Sequence, residues 1–222
     1  MLHDALLIAE KDLRLEARSR VATNQVAPFA LLVLVLFAFA LDPARGILAR
    51  ATSGLFWVAV LFSSLLAVQR AFSVEAADGN RDGLRLSSLD PAGIFLGKVA
   101  GIGLQLLALQ VVLAVGVSIF YDARLHGPLI LVLTCLLATV GLAAAGSLYG
   151  ALAAGLRVKE TILPLLLLPV VSPVLIAATQ SFEAAFTGET ADAWPWLGLL
   201  SVFAAVYTAF GIFAFGSLLE ES

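Results

Sequence analysis

Residues 70–98 read RAFSVEAADGNRDGLRLSSLDPAGIFLGK, and this stretch organises the whole chain. It carries eight of the 29 charged residues (13 Lys and Arg plus 16 Asp and Glu). On either side lie long apolar runs. Working outward, six windows contain no Asp, Glu, Lys or Arg: 21–41, 51–69, 99–121, 125–156, 161–182 and 193–219. Each is long enough to cross a bilayer, which takes about 17–25 apolar residues as a helix. One charge at the bilayer centre costs at least ~2.5–3.5 kcal/mol, so the exclusion of charge from all six constrains the fold. Hydrophobic residues make up 61% of the 222 and charged residues 13%, against about 45–50% and 25% in soluble domains. The windows lack the alternation of membrane strands. The reading is an all-α membrane protein, a single polytopic domain over 1–222, with transmembrane helices at about 21–41, 51–69, 99–121, 128–154, 161–181 and 195–219.

Lys and Arg placement orients the bundle. Six spans put Lys11, Arg14, Arg18, Arg20, Arg70, Arg81, Arg85, Lys98, Arg157 and Lys159 on one side, against Arg45, Arg50 and Arg124 on the other. The basic side is cytoplasmic. Both termini and the 70–98 loop between helices 2 and 3 are therefore expected inside a bacterial inner membrane. Ala38-Phe39-Ala40 resembles a signal-peptide cleavage site, but a 20-residue leader with interleaved acids precedes it, so the segment is expected to stay as the first span.

Residues 1–20 read as an amphipathic helix on the inner membrane surface. Leu2, Leu6, Ala9, Leu13 and Ala17 recur at helical spacing, with His3, Asp4, Glu10, Lys11, Arg14 and Arg18 mostly on the other face. Gly97-x-x-x-Gly101, Gly146-x-x-x-Gly150 and Ala151-x-x-x-Gly155 are small-residue seams for close helix packing. Pro164, Pro169 and Pro173 interrupt the fifth span, so kinks that line a pathway stand beside a merely structural role.

Catalytic constellations are missing, as are a metal-ligand cluster and any nucleic-acid-binding pattern. The lone Cys135 reads as a small buried residue. His126, at an outer boundary, is a weak candidate axial ligand for haem. Gly93-Ile-Phe-Leu-Gly97-Lys98-Val99 approaches a nucleotide-binding loop but is one residue short, and Val99 stands where Ser or Thr must hold magnesium. Asp78-Gly-Asn80-Arg-Asp82-Gly83 starts like a calcium loop, yet Leu89 occupies the position of the essential Glu. The chain is not expected to hydrolyse ATP or to be an enzyme.

The layout resembles an ABC-2-type permease, and more closely the CcmB family, the haem-exporter permease of cytochrome c maturation. The resemblance rests on Lys11-Asp12-Leu13-Arg14-Leu15-Glu16, on Arg70-Ala71-Phe72 with Glu75 and Asp78-Gly79, on Leu84–Leu89 leading to Gly97-Lys98-Val99, and on Leu163–Pro169 with Pro173. The chain departs from the family at Asn80-Arg81-Asp82-Gly83, where the turn is longer.

The resemblance implies a permease subunit whose 70–98 coupling loop docks an ATPase subunit (CcmA-like) through Arg70, Glu75, Asp78, Gly79, Arg81 and Arg85. It also implies a homodimer beside a haem-handling subunit (CcmC-like) and a small membrane subunit (CcmD-like). ATP, held and hydrolysed by the partner, then drives either export of haem as substrate or release of the haem-loaded periplasmic chaperone, and no cofactor is covalently bound. Within the loop, a short helix over about 70–77 and a second one capped by Ser87, Ser88 or Asp90 are expected. Two alternatives share this architecture: an exporter half for another amphiphile, and a non-transporting scaffold for the haem-handling subunit.

Overall fold

The computed structural model describes residues 1–19, 25–41, 47–76, 89–121, 126–154 and 159–221. Among them are seven α-helices and no strand: α1 (Leu2–Ser19), α2 (Ala27–Ala40), α3 (Ile47–Ala76), α4 (Pro91–Phe120), α5 (Pro128–Ala154), α6 (Lys159–Thr187) and α7 (Ala193–Glu221). A one-turn 3₁₀ helix, Thr190–Asp192, leads into α7.

Five of these, α3 to α7, are long and apolar enough to cross a membrane. They correspond to the second to sixth expected spans. The first expected span is represented by α2, whose 14 residues extend about 21 Å.

The largest difference from the sequence reading concerns the 70–98 loop. Arg70–Ala76 is not a separate short helix but the end of α3. Likewise, Pro91–Lys98 forms the first two turns of α4 rather than loop. Of the three expected caps, Asp90 caps α4: its side chain accepts a hydrogen bond from the Ala92 amide at 3.0 Å, and Pro91 fits the first turn, where an N–H has no helical partner. The cap opens one 30-residue helix, because the first charge met on leaving the apolar run, Lys98, is buried in the protein rather than solvated.

α5 lies at the centre and packs against α3, α4, α6 and α7. Its residues 141–148, GLAAAGSL, are all buried. Small side chains let neighbours come close, which matters in lipid because packing and hydrogen bonds, not the exclusion of water, hold helices together there. A Cβ added at Gly146 would lie 2.5 Å from Val68 Cγ2, and one at Gly150 2.5 Å from Phe72 Cδ2. Both glycines of this seam therefore serve the α3–α5 contact within one chain. Gly155, of the third seam, lies outside the described residues.

Two apolar cores result. One holds Leu34, Trp57, Val60, Leu113, Leu142, Val174 and Leu200. The other, at the end nearest residues 77–88, holds Ile8, Val68, Phe72, Phe95, Ile102 and Phe215. Buried polar groups stitch helices together: Gln110 Nε2 donates to Thr139 Oγ1 at 2.8 Å, Thr134 and Ser181 share a hydrogen bond at 2.7 Å, and Tyr121 donates to the Leu34 carbonyl at 2.7 Å. Facing outward are large apolar residues such as Leu32, Phe39, Phe210 and Phe213, a surface suited to lipid.

The α3–α5 contact is directly testable. Gly146→Val is expected to lower the stability of the purified chain by about 1–3 kcal/mol, the usual cost of overpacking. Gly54→Ala, where an added Cβ meets nothing within 4 Å, is expected to be neutral or stabilising by about 0.4–1 kcal/mol. Thermal unfolding in detergent, followed by tryptophan fluorescence, separates the two.

Candidate functional site

The expected coupling residues fall around one end of the bundle. Arg70 lies near the end of α3 and Glu75 contributes its backbone to the last turn of that helix. Asp78, Gly79, Arg81 and Arg85 lie outside the described residues. What the structure brings together around Arg70 is a set of residues from α1, α3 and α4.

α1 packs along the first turns of α4. The contact is built on Gly93, Gly97 and Gly101, one residue per helical turn on one face. A Cβ at Gly93 would lie 2.8 Å from the Met1 carbonyl oxygen; at Gly97, 2.6 Å from Ile8 Cβ and 2.7 Å from the Ala5 carbonyl oxygen; at Gly101, 3.4 Å from Asp12 Cβ. The order of these contacts shows that α1 and α4 run in the same direction. Gly97-x-x-x-Gly101 is thus a groove for the chain's own first helix. The near-miss nucleotide loop is resolved as well: its two glycines make room for α1 and its lysine binds α1.

That lysine, Lys98, is only 1% exposed. Its ammonium lies 2.9 Å from Asp12 Oδ2 and donates to the Ala71 carbonyl at 3.3 Å. It also stands 5.4 Å from the centre of the Phe72 ring, within cation–π range. The other oxygen of Asp12 is 3.1 Å from Lys11. One turn further along α1, Glu16 Oε2 lies 3.3 Å from Arg70 Nε. At the opposite end of α1, the Asp4 carboxylate accepts from the Asp90 amide at 3.3 Å. Hydrogen bonds from the terminal ammonium first, and from Asp90 second, hold the Asp4 carboxyl below the usual aspartate range.

Asp4, Ile8, Asp12 and Glu16 therefore form one row at a spacing of four, the docking face of α1. The sequence reading places Asp4 on the polar face of α1 and quotes Asp12 and Glu16 only as part of the run Lys11–Glu16. The signal was present, since the acid row on α1 has the same helical spacing as the glycine row on α4. Acids at that spacing ordinarily read as a water-facing stripe. The apolar positions Leu2 and Leu6 are exposed instead.

At an effective dielectric of about 20, two charges 2.9 Å apart attract by about 6 kcal/mol. Burying each ion costs several kcal/mol. The net contribution is near zero, so the pair's main consequence is specificity: α1 is placed where Lys98 can be neutralised.

The remaining candidates lie elsewhere. Pro164, Pro169 and Pro173 all sit inside a helix assigned without a break, and Pro169 and Pro173 face outward. His126 is exposed at the far end, with Nδ1 2.9 Å from the Phe186 carbonyl oxygen. A carbonyl only accepts, so Nδ1 carries the hydrogen. Beside the Arg70–Glu16 pair is a cavity of about 570 Å³ that includes Phe29, Leu66, Gln105 and Leu163 in its lining, but none of the three prolines.

Comparison with known proteins gives one consistent result. The model of a family described as CcmB protein matches residues 3–222. The chain is 34% identical over 184 residues to heme exporter protein B of Haemophilus influenzae, covering 81% of each chain. It is 33% identical over 187 residues to the protein of that name from Paracoccus denitrificans, covering 83% of this chain and 84% of the relative. To the Pseudomonas aeruginosa protein it is 31% identical over 217 residues, covering 95% and 94%.

The buried pair has a distinctive mutational signature. Asp12→Asn alone is expected to destabilise by about 3–5 kcal/mol, because it leaves Lys98 buried with its principal counter-charge removed. Asp12→Leu combined with Lys98→Met is expected to recover most of that loss. Thermal unfolding of the three proteins checks the order; a double variant no more stable than the single would contradict it.

Proposed function

Because the chain belongs to the CcmB family, whose model covers it almost end to end, we propose that it is the membrane permease subunit of an ATP-driven complex that exports haem for cytochrome c maturation. Haem is the cargo, supported by the name carried by its relatives. It is released on the outer side, to a periplasmic chaperone. ATP is bound and hydrolysed by a separate CcmA-like subunit. CcmC-like and CcmD-like subunits and a second copy of this chain complete the assembly.

In this reading α2 belongs to the first of six spans, both termini are cytoplasmic, and the membrane is the bacterial inner membrane. The asymmetry of ten basic residues against three supports that orientation. α1 lies at the cytoplasmic interface with Leu2 and Leu6 turned to lipid. Residues 77–88, joined to the ends of α3 and α4, dock the ATPase subunit with Glu75, Asp78, Gly79, Arg81 and Arg85.

One observation carries the coupling half of this proposal: Lys98 ties α1, α3 and α4 together within about two turns of the ends of α3 and α4. A push delivered to that segment reaches three helices as a unit. A buried ion pair resists sliding, because a shift of a few ångströms leaves two charges unpaired in a low-dielectric interior. His126, whose Nδ1–H is held by a backbone carbonyl, keeps Nε2 as its free donor atom to iron on the release side.

The docking claim is tested with Glu75→Lys and Asp78→Lys combined. Co-purification of the ATPase subunit with this chain is expected to fall by at least about tenfold, as when like or unpaired charges are forced together across an interface, and c-type cytochromes should fail to mature. Normal co-purification with normal cytochrome levels would overturn it.

A further inference from the structure

We infer that the cavity bounded by α1 to α6 binds an uncharged, largely apolar molecule, held by one carbonyl or hydroxyl group that the Gln105 carboxamide takes up. This goes beyond the export function and does not rest on it. The space, about 570 Å³, falls in the range of small-molecule sites and far exceeds the ~30 Å³ that one water occupies in the liquid. Its walls are mostly apolar: Phe29, Leu66, Leu106, Leu109 and Leu163 come from four different helices. Walls of that kind favour hydrocarbon over water as the filling.

Most polar groups on the wall are already committed. Ser63 donates to the Ala59 carbonyl at 2.8 Å and Ser73 to the Arg70 carbonyl at 3.0 Å. Glu16 and Arg70 are held 3.3 Å apart and make further interactions, as does Gln69. Gln105 differs. Among the described residues nothing hydrogen-bonds its carboxamide, whereas Gln110 in the same helix donates to Thr139. Gln105 is half-buried and lies seven residues beyond Lys98, about 10 Å further along α4. An amide at that depth carries two N–H donors and a carbonyl acceptor, and hydrocarbon offers partners to neither. A molecule that is apolar over most of its surface and brings its own hydrogen-bonding group satisfies the walls and the amide together.

The charge balance of the wall sets the class. Among the described lining residues the cation Arg70 and the anion Glu16 already face each other. A phospholipid phosphate or the propionates of haem would enter without a counter-charge of their own, which is costly away from water. Nor do those residues include an imidazole, thiol, thioether or phenol, the groups that ligate haem iron. Two kinds of membrane molecule share the required chemistry: an isoprenoid quinone, whose ring carbonyl accepts from the Gln105 N–H, and a diacylglycerol, whose ester carbonyls accept from it and whose hydroxyl donates to the amide oxygen.

The test uses the full chain purified with its partners in mild detergent. It is titrated separately with decylubiquinone, dioctanoylglycerol, dioctanoyl-phosphatidylglycerol and haemin, and binding is read by native mass spectrometry. Saturable binding of a neutral probe is expected, at least about tenfold tighter than that of dioctanoyl-phosphatidylglycerol, which adds a charged head to the same acyl body. The neutral probe that binds names the source. Gln105→Leu is expected to weaken its binding about tenfold, the effect of one lost hydrogen bond. The same variant should leave the unfolding temperature of the ligand-free complex unchanged or raised, because the amide it removes has no partner in the protein. Ala67→Phe, which fills the cavity, is expected to reduce binding of the neutral probe, with folding checked by gel filtration. No saturable binding of either neutral probe, as for a cavity that holds only water, would overturn the assignment. So would equal binding of dioctanoyl-phosphatidylglycerol, undiminished binding to Gln105→Leu, a lowered unfolding temperature of that variant, or displacement by stoichiometric haemin.

Discussion

The docking of α1 on α4 is the constraint on which this end of the molecule depends. It needs three things at once: glycines at 93, 97 and 101 to admit a second backbone, an apolar knob at Ile8, and acids on α1 to meet charges that would otherwise be buried alone. None suffices by itself. Glycines in mid-helix weaken a helix by about 1 kcal/mol each relative to alanine, so a glycine row costs stability unless another element occupies the groove. Here the chain's own amino-terminal helix occupies it.

Lys98 shows why the arrangement is all-or-none. Its ammonium is out of water, and the Asp12 carboxylate, the Ala71 carbonyl and the face of Phe72 are among the neighbours placed by that need. These belong to α1 and α3, while Lys98 is on α4. One side chain therefore fixes the relative position of three helices. Glu16 with Arg70 repeats the α1–α3 link one turn away with more exposure to solvent. The Coulomb gain of such pairs is largely cancelled by desolvation, so their effect is on which arrangement forms rather than on how stable it is.

The same residues alter the meaning of two sequence motifs. Gly93 to Val99 approaches a phosphate-binding loop on paper, yet its glycines face a helix backbone and its lysine an aspartate. Three prolines in α6 leave a pathway-lining kink and a structural kink equally open from sequence; Lys159–Thr187 runs as one helix in which Pro169 and Pro173 are exposed.

Charge-free apolar length was enough to place the helices from sequence, because a bilayer admits only long uncharged helices, and the expected 128–154 coincides with Pro128–Ala154. The basic-residue asymmetry supports an expected topology, and Ser87, Ser88 and Asp90 stand as candidate helix starts. Sequence could not locate the ends of α3 and α4 next to the charged stretch. It treated Arg70 and Lys98 as the edge of the membrane, whereas Lys98 is enclosed by protein and Arg70 is half-buried against Glu16. Burial of a charge depends on a counter-charge 86 positions away for Lys98 and 54 for Arg70, and no local pattern reports a partner at that distance. Composition and periodicity thus determined that this chain is a bundle of membrane helices. Only the tertiary structure decided that the first helix belongs to the bundle's base, because that follows from how three helices together neutralise one buried lysine.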